Sequence, residues 1–246
     1  MNYGHSTISD GTGLNGCYAS HILLRQGTHI VQVPDALPAN VVSPANCALA
    51  TIVNAVSRLP ESCETVVVQG AGLLGLYGCA LLREQGVQHV LCVDIQERRL
   101  ALVHQFGGVA IDGRPEHYTH AREKLRAVAP PGGDAVLEAA GVADLVPEGV
   151  QLLRAGGFDG FVGMVHPETS LELTGEQIVR KCLTIYGIHN YAPWHLDQAV
   201  QFLEQTHGKY PYHLLVSPPF SLANLESAIQ AAHTHKWCRV SVQIVA

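Results

Sequence analysis

The stretch VVVQGAGLLGLYG, residues 66–78, confines this chain to a small set of folds. Three valines run into Gly70-Ala71-Gly72-Leu73-Leu74-Gly75, and a helical pattern follows with Leu76, Cys79, Ala80 and Leu82 on one side. A strand that turns directly into a helix on three glycines brings a helix N-terminus up to a phosphate. Gly70 permits the tight turn, Gly72 lets the backbone approach a pyrophosphate, and Gly75 lets helix pack closely on strand. N–H groups without partners and the helix dipole then favour an anion. Asp94 follows Gly72 by 22 residues, at the end of the next apolar run, QHVLCVD. That is near the ~20-residue spacing at which a carboxylate meets the ribose hydroxyls of a dinucleotide. A carboxylate there repels a 2′-phosphate, so the pattern predicts NAD in preference to NADP, while Arg98 and Arg99 alongside would admit NADP. The bland alternative is three glycines packing some other α/β domain. The register of strand, turn, helix and acid weighs against it.

The pattern repeats along the chain. ETVVVQ, QHVLCVD, VAID, DAVLEAAG, GFDGFVGMV and CLTIYGI read as six strands. Helices are predicted over 74–85, 96–106, 117–128 and 143–154, with stops at Gly86, Gly107-Gly108 and PPGG. Alternation of this kind implies crossovers and a parallel sheet covered on both faces. The expected fold class is α/β, a doubly wound six-stranded parallel Rossmann domain. The flanks differ. Residues 1–46 are rich in Gly, Pro, Ser and Asn and hold two strand candidates, CYASHILL and THIVQVP. After Ile188 come helices over 195–205 and 222–232 and a closing strand, CRVSVQIV. The ends read as pieces of a second, β-rich region attached to both sides of the nucleotide domain.

Composition removes several classes of function. The 246 residues are 47% hydrophobic and 15% charged, with a net charge of −6. No basic cluster stands out, which argues against nucleic acid or an anionic membrane as partner. The apolar stretches are broken by Gly, Pro or Asn before the ~18 residues of a membrane span, and the polar start, MNYGHSTISDGTG, is unlike a signal peptide. Seven cysteines are scattered with no CxxC pair, the pattern of reduced, buried thiols and a cytoplasmic location. The fourteen histidines include no HExxH. His233 and His235 read as a solvated helix end.

VPDALPANVVSPANCALATIVNAV, followed by VVVQGAGLLG and VDIQERRLALVHQFG, resembles the medium-chain dehydrogenase/reductase superfamily in its zinc-type alcohol dehydrogenase branch. The resemblance covers nearly the whole chain, is strongest from Gly16 to Asp112, and is nearest to a subgroup associated with phosphonate breakdown. It implies a β-rich, GroES-like catalytic domain wrapped around the Rossmann domain. The expected divisions are 1–48 for part of the catalytic domain, 49–188 for the nucleotide domain and 189–246 for the return. It implies a catalytic zinc ligand at Cys47, where the family has a cysteine just before the crossing. The companion Cys, the His-Glu pair and the structural-zinc lobe have no counterpart here, so zinc is expected of a full-length parent rather than of this chain. His5 does not take the histidine's role, because no acid follows it. On the residues alone, a small buried hydrophobe remains an equal reading of Cys47.

Further positions follow from the resemblance one at a time. Leu73 and Leu74 give backbone N–H groups at the helix start, and Arg99 stands beside the adenosine ribose. Ala140 and Gly141 lie under the cofactor, Gly163 and Met164 flank the nicotinamide, and Ile188 and His189 edge the same pocket. Arg239 faces the pyrophosphate, or is a plain charge at a strand end. Three functions fit. The first is an oxidoreductase passing a hydride between an alcohol and NAD, with zinc as Lewis acid. The second is a truncated form that binds NAD(H) or pairs with full-length subunits. The third is a zinc-free reductase of the quinone oxidoreductase type, against which Cys47 in its setting argues. The implied partners are a small alcohol or carbonyl and a second copy of the chain, joined near CLTIYGI.

Overall fold

All five residues of β1 (Thr65–Gln69) are buried, as a strand covered on both faces requires. It stands third in a six-stranded sheet of order β3-β2-β1-β4-β5-β6, with β2 (His89–Asp94), β3 (Val109–Asp112), β4 (Gly133–Glu138), β5 (Leu153–Phe161) and β6 (Thr184–Gly187). Every pairing in it is parallel, which bears out the doubly wound sheet. The structure, a computed structural model, describes residues 16–114, 118–167 and 170–244. His5 and the predicted helix start at His117 lie outside them.

The helices are α1 (Ala39–Val42), α2 (Ala50–Val56), α3 (Leu73–Glu84), α4 (Glu97–Val103), α5 (Tyr118–Val128), α6 (Leu145–Leu152), α7 (Gly175–Lys181), α8 (Pro193–Thr206) and α9 (Leu225–His233). On one face of the sheet Val67, Leu91, Val93, Ile111 and Val136 pack under Leu125, Ala129 and Leu152. On the other, α3 buries Leu76, Cys79, Ala80 and Leu82 completely, and α2 packs between α3 and α8. Ala45–Pro211 form one compact unit. The unit therefore takes in α8, because α2 and α8 cover each other.

The other unit joins the flanks, up to Pro44 and from Tyr212. Leu37, Val41, Tyr212, Leu215 and Val216 are among its buried residues. β7 (Phe220–Ser221) pairs with β8 (Val242–Gln243). CYASHILL and THIVQVP form no strand among the described residues: an extended run becomes a strand only beside a neighbour that takes its N–H and C=O groups.

Other elements also depart from the sequence reading. The helix predicted over 143–154 ends at Leu152, and the strand predicted from Gly157 begins at Leu153. Gly156, at φ +74°, lets β5 slip register against β4 there. α7 is unpredicted because it buries nothing; its sequence signal is the capping box of Thr174 and Gln177. Lys181 at its end donates to the carbonyls of Val150 (2.7 Å) and Leu153 (2.7 Å), at the close of α6. Ala39–Val56 is one helical run apolar and long enough to span a membrane, although Asn46 and Asn54 interrupt it in sequence, and 72% of it is buried. All seven cysteines are free, but only Cys63, Cys79 and Cys92 are buried; Cys17, Cys47 and Cys182 are exposed.

At the amino edge of the sheet, Asp134 accepts from the N–H groups of Glu64 (2.9 Å) and Thr65 (2.8 Å) and pairs with Arg154 at 2.6 Å. Burial raises its carboxyl, but the Thr65 N–H, the Arg154 guanidinium and the Glu64 N–H together hold it below the ordinary value of 3.8. The folded state therefore favours the ionised form, and this stabilisation is present above about pH 4 and drains away in more acid solution. Asp134→Asn is expected to lower stability in urea at neutral pH and to flatten the acid limb of the stability profile. Leu76→Ala, which empties a fully buried site, is expected to cost about 2–5 kcal/mol in the same assay.

Candidate functional site

The turn after β1 uses each of its glycines differently. Gly70 has φ +100°, and a Cβ on it would stand 3.0 Å from the backbone of Ala140. Its N–H donates to the Val93 carbonyl at 2.7 Å, which ties the turn to β2. A Cβ on Gly75 would lie 1.8 Å from the Gly70 carbonyl oxygen, so α3 meets the turn closer than any side chain allows. Gly72, the N-cap of α3, has open space where its Cβ would be. No side chain caps α3, and the first N–H groups of a helix have no partner within it. Leu73 and Leu74 therefore present their N–H groups beside an unfilled approach.

Asp94 ends β2 with its side chain 6% exposed. One carboxylate oxygen accepts from the Ala71 N–H at 2.7 Å, inside the glycine turn, and the other from the Gln96 N–H at 2.8 Å. The Arg99 guanidinium stands 3.7 Å from the first. The fold thus brings Gly70, Gly72, Gly75, Leu73, Leu74, Asp94 and Arg99 to one place. It is the carboxyl edge of β1 and β2, beside the point where strand order reverses between β1 and β4. In open α/β sheets that crevice is where ligands bind.

The carboxyl ends of β4, β5 and β6 complete this edge. Ala140 and Gly141 follow β4, Gly163 and Met164 follow β5, and Ile188 and His189 follow β6. Gly141 (φ +74°) lies so near Gly163 that a Cβ on either would clash with the other's backbone, at 2.8 and 2.4 Å. The Ile188 N–H donates to Phe161 at 2.9 Å. The residue that holds these loops was not among the candidates read from sequence. Glu138, 0% exposed at the end of β4, accepts through Oε1 from Ala140 (2.7 Å) and Gly141 (2.6 Å) and through Oε2 from Gly163 (3.2 Å). Burial raises its carboxyl against the pull of those N–H groups. The available signal was an acid closing an otherwise apolar strand, AVLE.

Two candidates remain. Cys47 lies on a π-helical turn, Ala45–Leu49, that leads into α2. It is exposed, which overturns its reading as a small buried hydrophobe. The Tyr191 hydroxyl donates to the neighbouring Asn46 carbonyl, and burial and then Cys47 push that phenol up. Among the described residues no three His, Cys, Asp or Glu side chains group as a metal site. A catalytic zinc needs three protein ligands, so the described residues do not fit one. Arg239 belongs to the flanking unit; its backbone bonds Leu215 and Ser217, and its side chain is exposed.

Residues 74–205 match the family described as zinc-binding dehydrogenase, and the chain belongs to that family. It is 26% identical over 219 residues to 5-exo-hydroxycamphor dehydrogenase of Pseudomonas putida, covering 87% of this chain and 61% of that one. An alcohol dehydrogenase from Thermotoga maritima superposes with a TM-score of 0.88 at 28% identity, over 94% of this chain and 64% of that one. A short-chain alcohol dehydrogenase from Escherichia coli, solved with NADH, shares the fold at a TM-score of 0.71 and 18% identity, over 88% and 62%. The chain spans about half to three-fifths of the length of the curated relatives it matches.

The glycines separate by experiment. Gly75→Ala is expected to lower the melting temperature by several degrees, since a clash with backbone must be relieved. Gly72→Ala, with open space around it, is expected to leave the melting temperature within a degree or two of wild type. Thermal unfolding followed by circular dichroism reads both.

Proposed function

We propose that this chain holds the dinucleotide in an NAD-dependent dehydrogenase that exchanges a hydride between a small alcohol and its carbonyl. One observation carries the reading: an open approach at Gly72, at an uncapped helix start, with a buried acid one turn away. The pyrophosphate would sit on the N–H groups of Leu73 and Leu74. Asp94 keeps lone pairs beyond those given to Ala71 and Gln96, and these would accept from the adenosine ribose hydroxyls. Its negative charge disfavours a 2′-phosphate, while Arg99 steadies the carboxylate from its outer side. Ala140 and Gly141 would lie under the cofactor and Gly163 and Met164 would flank the nicotinamide, with Ile188 and His189 at its edge. Arg239 is assigned to the pyrophosphate on its family position alone. When bound, NAD supplies the hydride acceptor.

Zinc enters this proposal only through Cys47, whose exposed thiol would supply one of three ligands. That incomplete set also favours the second reading, an NAD(H)-binding form without turnover of its own. The open edge at β6 is the surface proposed for pairing with a second copy, since an edge strand presents unpaired backbone groups. A cytoplasmic location accords with seven free thiols.

NADH fluorescence titration of the 246-residue chain is expected to give saturable binding, with NADPH about tenfold weaker or more. Asp94→Asn is expected to narrow the gap between the two, and Gly72→Val to abolish binding of both while the protein stays folded. Absence of NADH binding by the folded wild type would overturn the proposal. Alcohol oxidation with stoichiometric zinc would decide for the first reading over the second.

A further inference from the structure

β5 carries a carboxyl where its neighbours are apolar. Asp159 is 1% exposed, and neither of its oxygens meets a donor among the described residues. Register pairs it with Val136 on β4 and sets Glu138 two residues further along. Side chains alternate along a strand, so Asp159, Val136 and Glu138 share one face. Gln69 of β1 pairs with Glu138 on that face. Its amide nitrogen donates to the Leu145 carbonyl at 2.8 Å, while its oxygen has no donor. A buried row of acceptors therefore crosses the three strands, and only Glu138 has N–H groups to hold.

Two carboxyl groups in this row have donors enough for one charge. Glu138 takes it, because three N–H bonds stabilise an anion. Asp159 has none and is the site of the proton: burial, and then the nearby Glu138, push it up to about 7. Among the described residues no cation pairs with Asp159; α5, which covers this face through Leu125, carries Arg122, and that guanidinium bonds Gln151. On β6, Tyr186 covers Gly160 from the other face, and its phenol is itself pushed up by burial and then by Asp159. α6, which packs on β4 and β5, carries Glu148 as its only titratable residue. α7, which packs on β5, carries Glu176 and Arg180, paired with each other and exposed, and Lys181, engaged by the α6 carbonyls.

We propose that Glu138 is the positioning residue for the loops at the nicotinamide side of the cleft, and that it holds them firmly only while Asp159 carries a proton. Loss of that proton leaves two facing anions. Glu138 must then swing away from Asp159 and give up part of its hold on the N–H groups. That movement loosens Ala140, Gly141 and Gly163 together. Because the folded state raises the Asp159 pKa, stability falls as pH rises from the ordinary carboxylate range towards 7 and levels off above it. The consequence for cofactor affinity rests on the dinucleotide reading; the loop clamp does not.

The test reads both on the full chain between about pH 5.5 and 8.5. Hydrogen exchange at the Ala140, Gly141 and Gly163 amides, without NADH and corrected for intrinsic base catalysis, is expected to quicken about tenfold through pH 7 in wild type. NADH affinity is expected to fall by a similar factor over the same range. Asp159→Asn, which keeps the shape and cannot ionise, is expected to flatten both profiles at their low-pH values. Asp159→Val serves the same purpose should the amide fold poorly. Glu138→Gln is expected to give fast exchange and weak binding at every pH. A wild-type exchange profile flat through pH 7, or one that Asp159→Asn leaves unchanged, overturns the proposal whatever NADH does. Loops that loosen on schedule in a chain with no NADH affinity would sustain the clamp and refute the dinucleotide reading. Loops that loosen while affinity stays constant would overturn the positioning role.

Discussion

The contact between α3 and the end of β1 sets the terms for the whole cleft. The Gly70 carbonyl occupies the place where any side chain on residue 75 would begin. Helix and strand can meet this closely only through glycine, and the approach aims the start of α3 across the carboxyl edge of the sheet. Moving the helix outward by the width of one methyl group would strain the bonds from Ala71 to Asp94 and from Gly70 to Val93 that couple the turn to β2. The apolar packing of Leu76, Cys79, Ala80 and Leu82 fixes the helix against the sheet, but many helices pack so. The absent Cβ atoms decide where its N-terminus points.

Two buried acids do for the loops what glycine does for the helix. Asp94 binds β2 to the glycine turn, and Glu138 binds the loop after β4 to the loop after β5. Each uses a carboxylate to gather backbone N–H groups that the sheet no longer pairs. Both sides of the strand-order reversal are thereby anchored by charge rather than by apolar packing. That leaves the edge polar and shaped, and under the proposal above it ties the order of the β4–β5 half to the proton on Asp159.

The parts legible in sequence were those with local causes. β1, α3 and β2 show in periodicity and glycine spacing because strand, turn and helix are each determined within a dozen residues. Asp94 was legible because its spacing from Gly72 is fixed by one helix and one strand. Glu138 was not, since its partners Ala140, Gly141 and Gly163 come together only when β4 and β5 pair. Asp159 read as one residue of an apolar strand, and its lack of a donor is a property of the packed sheet. The flanking strand candidates failed for the same reason in reverse: their alternation was visible, but a strand also needs a neighbour. α7 buries nothing, so periodicity had nothing to report, and only its Thr174–Gln177 cap marked it.

The π-helical turn at Ala45–Leu49 has a consequence for heredity as much as for shape. Such a turn is an α-helix that has absorbed one extra residue. Each residue of a regular helix advances about 100° around the axis. Loss of a single codon within this turn would restore an ordinary helix and turn the remaining residues of the segment by that angle relative to α2. Cys47 would exchange its exposed position for another heading, and Asn46 would leave the Tyr191 hydroxyl. Point substitutions can drift through this segment with little effect on its direction, whereas a deletion of one residue would redirect it in one step.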